Sequence, residues 1–226
     1  GIIDGRSVSA IDTRGTFSTP NISNLAGGTI RSASSSATIV THPNYYLNLT
    51  NAGTIVNSGK GAALSGGTLN VTNQDGGRIA GGIAATDSLF LINQGVVTGN
   101  VIARSGGNVI NSADGKIKGS VTLGRGNNTL IAHYVGSRTL ETGITGAIRA
   151  GGTNNTERVA FTKDTSVNTP IDMNVGFQRL VLAPDSDVTV TLEKSFSTSG
   201  SITLGELGTI INRATIDVVR SEEHTS

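Results

Sequence analysis

The sequence predicts an all-β chain that folds as a right-handed parallel β-helix (β-solenoid) with roughly 18–27 residues per coil. Three observations lead to this fold class. A template about twenty residues long recurs along the chain, and its apolar segments are short and alternate with polar residues. Of the 226 residues, 102 are Gly, Asn, Ser or Thr, which indicates many turns.

The composition excludes several classes of site. The chain has no Cys, so disulfide bonds, Cys-ligated metal centres and a cysteine nucleophile are ruled out. Its 17 basic and 16 acidic residues give a net charge of +1, and we therefore expect no nucleic-acid partner. No apolar run approaches the roughly 20 residues of a membrane-spanning helix. Hydrophobic residues still make up 36% of the chain, which is enough to build a core.

The repeated template reads Leu-x-aliphatic-x-Asn, a short insert, then Gly-x-aliphatic. It occupies residues 47–55, 69–79, 89–97 and, with Gly in its first position, 107–117. Looser copies lie at 22–30 and 208–212. Asn recurs in it at positions 24, 51, 73, 93 and 111, and the interval between copies shortens steadily along the chain. A self-similar period of this length is typical of a solenoid.

A third short apolar segment completes each repeat. It follows a Gly at residues 81–83, 99–101 and 119–123. Alternation over a few residues, bounded by Gly or Asn, predicts strands rather than helices. Three strands and three turns in about twenty residues form one coil of a parallel β-helix, because the crossover helix of a βαβ unit does not fit.

The Asn residues of the template predict a structural ladder. Asn51, Asn73, Asn93 and Asn111 recur at one corner of successive coils. Stacked about 4.8 Å apart, each amide can donate to one neighbour and accept from the other, which satisfies polar groups turned into the core. We therefore interpret these four residues as structural, and not as a ligand-binding site.

The spacing changes after residue 125. The turn chemistry of residues 125–131 returns at 151–156, a longer interval than most of those within the template, and we expect an insert at 137–142. The Ser-rich stretch 32–36 is predicted to be a surface loop. We expect one domain over residues 1–219, about ten coils cut at both ends from a longer protein. Residues 220–226 resemble the translated read-through of a DNA-sequencing adapter and are excluded from the fold as a non-native tail.

Several motifs are shared with a known family. They are the Asn-x-Gly-x-Ile coils, the Gly-Asn-Asn-Thr-Leu turn at 126–130, and Gly-Phe-Gln-Arg-Leu-Val-Leu at 176–182 before Val-Thr-Val-Thr-Leu at 188–192. Over roughly residues 20–219 the chain resembles the passenger domains of autotransporters, the exported β-helical parts of type V secretion proteins of Gram-negative bacteria. The resemblance implies a location at the bacterial cell surface or outside the cell. It also implies an outer-membrane β-barrel translocator downstream in the full-length protein.

The sequence contains few residues in catalytic or metal-binding arrangements. Nucleophile-elbow, P-loop and zinc-protease motifs are absent. Residues 124–130 resemble the calcium-binding nonapeptide of RTX proteins, but Asn stands where that motif has Asp, so a hard cation gains little. His42 and His133 have no acidic partner at a characteristic spacing. We therefore expect no cofactor and no metal.

The main alternative is a β-helical polysaccharide lyase or glycoside hydrolase. Such an enzyme needs two or three acids that face one groove from adjacent coils. Asp75 and Asp114 occupy similar turn positions, but one coil intervenes, which places them about 10 Å apart. Asp185 and Asp187 lie two residues apart, next to Pro184. Ordinary turns also explain both pairs.

The favoured interpretation is a non-catalytic stalk or adhesin segment. Outward faces rich in Thr and Asn offer many weak hydrogen bonds to glycans or proteins of host or neighbouring cells, or to another copy of the chain. Repetition over many coils turns weak contacts into avidity. The enzymatic alternative instead requires three carboxylates within about 5 Å of one groove.

Overall fold

The computed structural model describes residues 1–15, 18–112, 114–134, 143–168, 173–198, 200–205 and 207–218. These residues form 27 β-strands. No helix that is long and apolar enough to cross a membrane occurs among them. The expected insert at 137–142 and the tail at 220–226 lie outside the described residues.

Every third strand along most of the chain joins the same parallel sheet. Sheet A contains β1 (Ile2–Asp4), β4 (Thr29–Ser32), β7 (Thr54–Asn57), β10 (Arg78–Ala80), β13 (Val96–Thr98) and β16 (Lys116–Lys118). Sheet B contains β2 (Ile11–Asp12), β5 (Ile39–Val40), β8 (Leu64–Gly66), β11 (Ile83–Ala85), β14 (Val101–Ala103), β17 (Val121–Leu123) and β19 (Ile148–Ala150). Each coil therefore contributes one strand to each face of the solenoid.

The third face is sheet C, which has nine strands and runs through most of the described chain. Its strands are β3 (Asn21–Asn24), β6 (Tyr46–Asn51), β9 (Thr68–Asn73), β12 (Leu89–Asn93), β15 (Gly107–Asn111), β18 (Thr129–His133), β20 (Thr156–Phe161), β22 (Arg179–Pro184) and β25 (Ser201–Leu204). Two smaller parallel sheets follow the ends of sheets A and B. They are sheet D, with β21 (Thr165–Val167), β23 (Thr189–Leu192) and β26 (Thr209–Asn212), and sheet E, with β24 (Phe196–Thr198) and β27 (Ile216–Val218).

The predicted parallel β-helix is confirmed. The described residues form a β-solenoid of about 8 turns with roughly 22 residues per turn. Some coils are longer than the central ones. The stretch from Leu130 to its partner Glu157, for example, is half as long again as the stretch from Asn93 to its partner Asn111.

The core consists of inward side chains stacked from coil to coil. One column of sheet C runs from Leu49 through Val71, Leu91 and Val109 to Leu130, all of them buried. Strands such as β9 alternate half-buried and buried residues along their length, as strands with one face in a core do. The alternation predicted by the sequence therefore places every second side chain of such a strand in the core.

Glycine at the corner after each Asn has a steric cause. A Cβ on Gly95 would overlap the Gly77 carbonyl oxygen of the preceding coil and lie 2.9 Å from Asn73 Nδ2. The corner of one coil thus rests directly on the corner of the next, and a side chain does not fit between them. This contact explains why the template carries Gly at this position.

The Ser-rich stretch 32–36 is only partly at the surface. Ser32 and Ser34 are buried, and the Ser32 hydroxyl lies 2.8 Å from Thr38 Oγ1. The expectation of a surface loop is therefore wrong for these two residues. The Ser34 hydroxyl accepts the Ser36 N–H at 3.0 Å, and such partners allow burial of polar side chains.

Candidate functional site

The four predicted ladder residues lie in one column at the end of successive sheet C strands. Asn51 Nδ2 donates to Asn73 Oδ1 at 2.8 Å, Asn73 Nδ2 to Asn93 Oδ1 at 2.8 Å, and Asn93 Nδ2 to Asn111 Oδ1 at 2.7 Å. All four side chains are buried. Parallel pairing in register brings identical amides to the same height in each coil, so that each amide meets the next one.

Three of the four amides also donate to the backbone of their own corner, and Asn93 Nδ2 donates to the Lys116 carbonyl oxygen of the next coil at 3.3 Å. Asn51 Nδ2 lies 3.1 Å from the Gly53 carbonyl oxygen, Asn73 Nδ2 lies 3.2 Å from that of Gly77, and Asn111 Nδ2 lies 2.9 Å from that of Gly115. The ladder therefore ties each sheet C strand to the turn that follows it. These Asn side chains form hydrogen bonds with the backbone and with one another.

The column begins one coil earlier than the predicted set. Asn24 Nδ2 donates to Asn51 Oδ1 at 2.7 Å, and the Asn24 side chain is buried. The looser copy of the template at residues 22–30 was the signal for this residue. The column ends after Asn111, because the next residue in register is Ala132, followed by Val159.

A second amide ladder, absent from the predicted set, lies at the corner that precedes the sheet C strands, whereas the first ladder lies where these strands end. Asn128 Nδ2 donates to Asn155 Oδ1 at 2.8 Å, and the backbone N–H of Asn155 donates to Gln178 Oε1 at 2.9 Å. Asn128 Oδ1 accepts the Gly107 N–H at 2.9 Å. The repeated Gly-x-x-Asn-Asn-Thr turn, at 124–129 and 151–156, was the available signal for this ladder.

The same geometry accounts for the calcium-like turn at 124–130. Asn128 is buried, and its Nδ2 donates to the Gly124, Gly126 and Gly151 carbonyl oxygens at 2.8, 3.1 and 3.0 Å. These amide hydrogens and carbonyl oxygens bond to one another across the corner. Among the described residues, no three or more His, Cys, Asp or Glu side chains group in a way that would hold a metal ion.

Strand β20 places one carboxyl group in the core of the solenoid, and the sequence did not predict it. Glu157 is paired in register with Leu130 on one side and Leu180 on the other, and it is fully buried. Asn174 donates to it twice, through its backbone N–H at 2.9 Å and its Nδ2 at 2.5 Å. Burial raises the pKa of Glu157 above its ordinary value, while the Asn174 bonds act in the opposite direction.

Glu157 lies where the apolar core divides. Leu130 belongs to the larger cluster that fills the N-terminal coils, and Leu180 to a smaller cluster that fills the C-terminal ones. The alternation of β20 gave the inward position of Glu157, but a single acidic residue in a strand is usually assigned to the solvent side.

The carboxylates considered for catalysis lie on turns. Asp75 and Asp114 line one groove of about 330 Å³ on sheet A, together with Arg78, Gln94 and Lys116. Gln94 occupies the coil between the two acids, as the sequence spacing indicated. Gly76, next to Asp75, has a φ of +75°, which fits an Asp-Gly turn.

The remaining candidates also occupy local structure. Asp185 and Asp187 are exposed in a turn closed by the Val188 N–H, which donates to the Asp185 carbonyl oxygen at 3.0 Å. His42 Nδ1 accepts the Asn44 N–H at 3.1 Å, and His133 Nδ1 lies 3.0 Å from the Asn111 carbonyl oxygen. The structure therefore does not bring these residues together into one site.

The outward face of sheet C is a continuous surface across nine strands. At about 4.8 Å per strand it extends about 38 Å along the solenoid. An outer column of amides runs along it, with Asn48 Nδ2 bonded to Asn21 Oδ1 at 2.8 Å and Asn70 Nδ2 bonded to Asn48 Oδ1 at 2.9 Å. Two aromatic side chains, Tyr46 and Phe90, are exposed on the same face by 54% and 41%.

Comparisons with known proteins identify no relative. No family model matches the chain, and no curated protein or solved structure matches it at a significant level.

Proposed function

We propose that this chain is a non-catalytic, surface-exposed segment of an autotransporter-like adhesin. It holds cells or molecules together through the outward faces of its solenoid. The targets are glycans or proteins of a host or neighbouring cell, or a second copy of the chain. The resemblance of residues 20–219 to passenger domains supports the family and the location at a Gram-negative cell surface.

The continuous outward face of sheet C is the observation that carries this proposal. It presents exposed or half-buried Asn and Thr side chains at regular intervals, including Asn48, Thr50, Asn70 and Thr72. Hydroxyl and amide groups donate and accept hydrogen bonds without a net charge. Polar side chains repeated at this spacing favour many weak contacts with an extended partner, and these contacts add up through avidity.

A bead-attachment assay tests the proposal. Beads coated with the purified chain are expected to bind to epithelial cells, to immobilised glycans or to one another. The double substitution Asn48→Lys and Thr72→Lys places two charges on the outward face of sheet C and is expected to lower attachment at least about 5-fold. Like charges on two approaching copies repel, and Lys removes amide and hydroxyl contacts.

The matched control places the same two charges on sheet A. Thr54→Lys together with Thr98→Lys changes outward, half-buried Thr residues of β7 and β13 and is expected to leave attachment unchanged. The proposal fails if the unsubstituted chain binds none of the three targets. It also fails if the double substitution on sheet A lowers attachment as much as the sheet C variant, since a general charge effect would then explain both results.

A further inference from the structure

The corner between sheets B and C varies in length from coil to coil. Five residues, 41–45, join β5 to β6, and three residues, 86–88, join β11 to β12. Between them, Gly67 alone joins β8 to β9. A Cβ on Gly67 would overlap the Pro43 carbonyl oxygen, so the middle corner packs directly against the longer corner before it. The result is a notch with a longer corner on each side.

This notch forms a groove of about 440 Å³, a volume within the range of small-ligand sites. Its lining contains one aromatic ring, one carboxylate, one side-chain amide and two hydroxyls. They belong to Tyr46, Asp87, Asn44, Thr68 and Thr86.

One wall of the groove is held in place by local bonds. The Tyr45 N–H donates to the His42 carbonyl oxygen at 3.1 Å and closes a turn over residues 42–45. The His42 and Tyr45 rings pack with their centroids 5.2 Å apart, and the Asn44 N–H donates to His42 Nδ1. On the other wall, the Thr86 hydroxyl donates to the Gly66 carbonyl oxygen at 3.0 Å. A groove that is ordered before binding loses little entropy when a ligand enters.

We infer that this groove binds a neutral sugar unit of a glycan. The exposed ring of Tyr46 presents an electron-rich face, which attracts the weakly positive C–H groups on the apolar face of a pyranose. The Asp87 carboxylate and the Asn44 amide accept and donate hydrogen bonds of the kind that sugar hydroxyls require. Asp87 is the one charged residue of the lining, so uronates and other anionic sugars are repelled.

This inference rests on the proposed function and assigns its glycan contact to one place. The groove lies at the edge of the sheet C face, because Tyr46 and Thr68 are the first residues of β6 and β9. A single sugar contact is weak, and binding strength therefore depends on presentation of many copies of the chain.

The test uses the whole chain, displayed in many copies on fluorescent beads and applied to a printed array of neutral and uronate-containing oligosaccharides. We expect binding to neutral oligosaccharides and none to uronates. Tyr46→Ala is expected to lower binding at least about 10-fold, and Asp87→Asn about 3-fold or more, whereas Tyr46→Phe retains the ring and stays within about 2-fold. Far-UV circular dichroism and thermal unfolding check that each variant folds.

Phe90→Ala is the matched control, because Phe90 is the other exposed aromatic residue on the sheet C face and lies outside the groove. It is expected to bind the array as the unsubstituted chain does. The inference is overturned if Tyr46→Ala binds normally, if Phe90→Ala loses as much binding, or if uronates bind best. Beads that attach to cells or to one another but to no oligosaccharide overturn the inference and leave the proposed function standing. Beads that bind nothing contradict both.

Discussion

The inner Asn ladder gives the sharpest prediction about stability. Asn93→Ala removes the central amide of the column. Asn93 accepts a hydrogen bond from Asn73 Nδ2 at 2.8 Å and donates to Asn111 Oδ1 at 2.7 Å and to the Lys116 carbonyl oxygen at 3.3 Å. The side chain is fully buried, so water does not replace these bonds without entering the core.

The magnitude follows from the bonds that are lost. Each buried hydrogen bond contributes about 1 kcal/mol net, and a buried acceptor that loses its donor adds about 1 kcal/mol or more. Asn73 Nδ2 keeps its bond to the Gly77 carbonyl oxygen, whereas Asn111 Oδ1 loses the donor supplied by Asn93. We therefore expect Asn93→Ala to lower the free energy of unfolding by about 3 kcal/mol.

Asn70→Ala is the matched control on the outward side of the same sheet. Asn70 donates to Asn48 Oδ1 at 2.9 Å but is only half-buried, and its neighbour in the next coil is Phe90. Water replaces the lost bond, so the expected cost is below about 0.5 kcal/mol. Both variants replace Asn with Ala in sheet C, so a difference between their unfolding free energies reports the effect of burial and not of residue type.

Urea unfolding followed by far-UV circular dichroism measures the stability of both variants. An unchanged dependence of the unfolding free energy on urea concentration indicates that the unfolding mechanism is unchanged. Because each coil contacts only its neighbours, hydrogen exchange should show the loss of protection centred on β9, β12 and β15. A cost below about 0.5 kcal/mol for Asn93→Ala, or equal costs for the two variants, would refute a stabilising role of the ladder.

Three further substitutions test the corner, the buried acid and the core. Gly95→Ala places a Cβ against the Gly77 carbonyl oxygen and should cost about 2 kcal/mol or more in urea unfolding, and a neutral result would contradict the corner contact. The raised pKa of Glu157 means that its folded form holds the proton more tightly than the unfolded chain. Stability should therefore fall as pH rises from the ordinary value of 4.5 through the raised pKa. Glu157→Gln should remove this slope from thermal unfolding curves and be more stable than the unsubstituted chain at neutral pH, and an unchanged slope would refute it. Leu91→Ala opens a cavity in the core and should lower the free energy of unfolding by about 2–5 kcal/mol. Phe90→Ala changes an exposed residue and should lower it by less than about 1 kcal/mol. Similar urea midpoints for the two variants would contradict the inward position of Leu91.

The sequence predicted the architecture because the template repeats with a period near that of one coil. Parallel stacking then places equivalent residues above one another, as it does for Asn51 and Asn73. Alternation fixed which side chains face inward, and the scarcity of aromatic residues agreed with a narrow core. The enlarged coils after residue 125 were harder to define, because the main repeat there is the turn of residues 125–131, which returns at 151–156.

The candidate sites were predicted less completely. Asp75 and Asp114 line one groove; the sequence indicated similar turn positions with one coil between them and favoured ordinary turns. The pairing of Asn128 with Asn155 was visible as a repeated turn, but its burial was not. Glu157 was missed because a single acidic residue in a strand is usually assigned to the solvent side, although the alternation of β20 places it inward.

By itself, the sequence determined an all-β solenoid with an amide at one corner of successive coils, since a periodic pattern and parallel pairing leave little freedom. The tertiary structure alone decided where that ladder ends, because the next residue in register after Asn111 is Ala132. It also decided that Glu157 lies at the junction of two core clusters and that Tyr46 borders a groove. These features depend on which residue lies in the coil above or below and on differences in corner length. The order of residues along one coil does not contain that information.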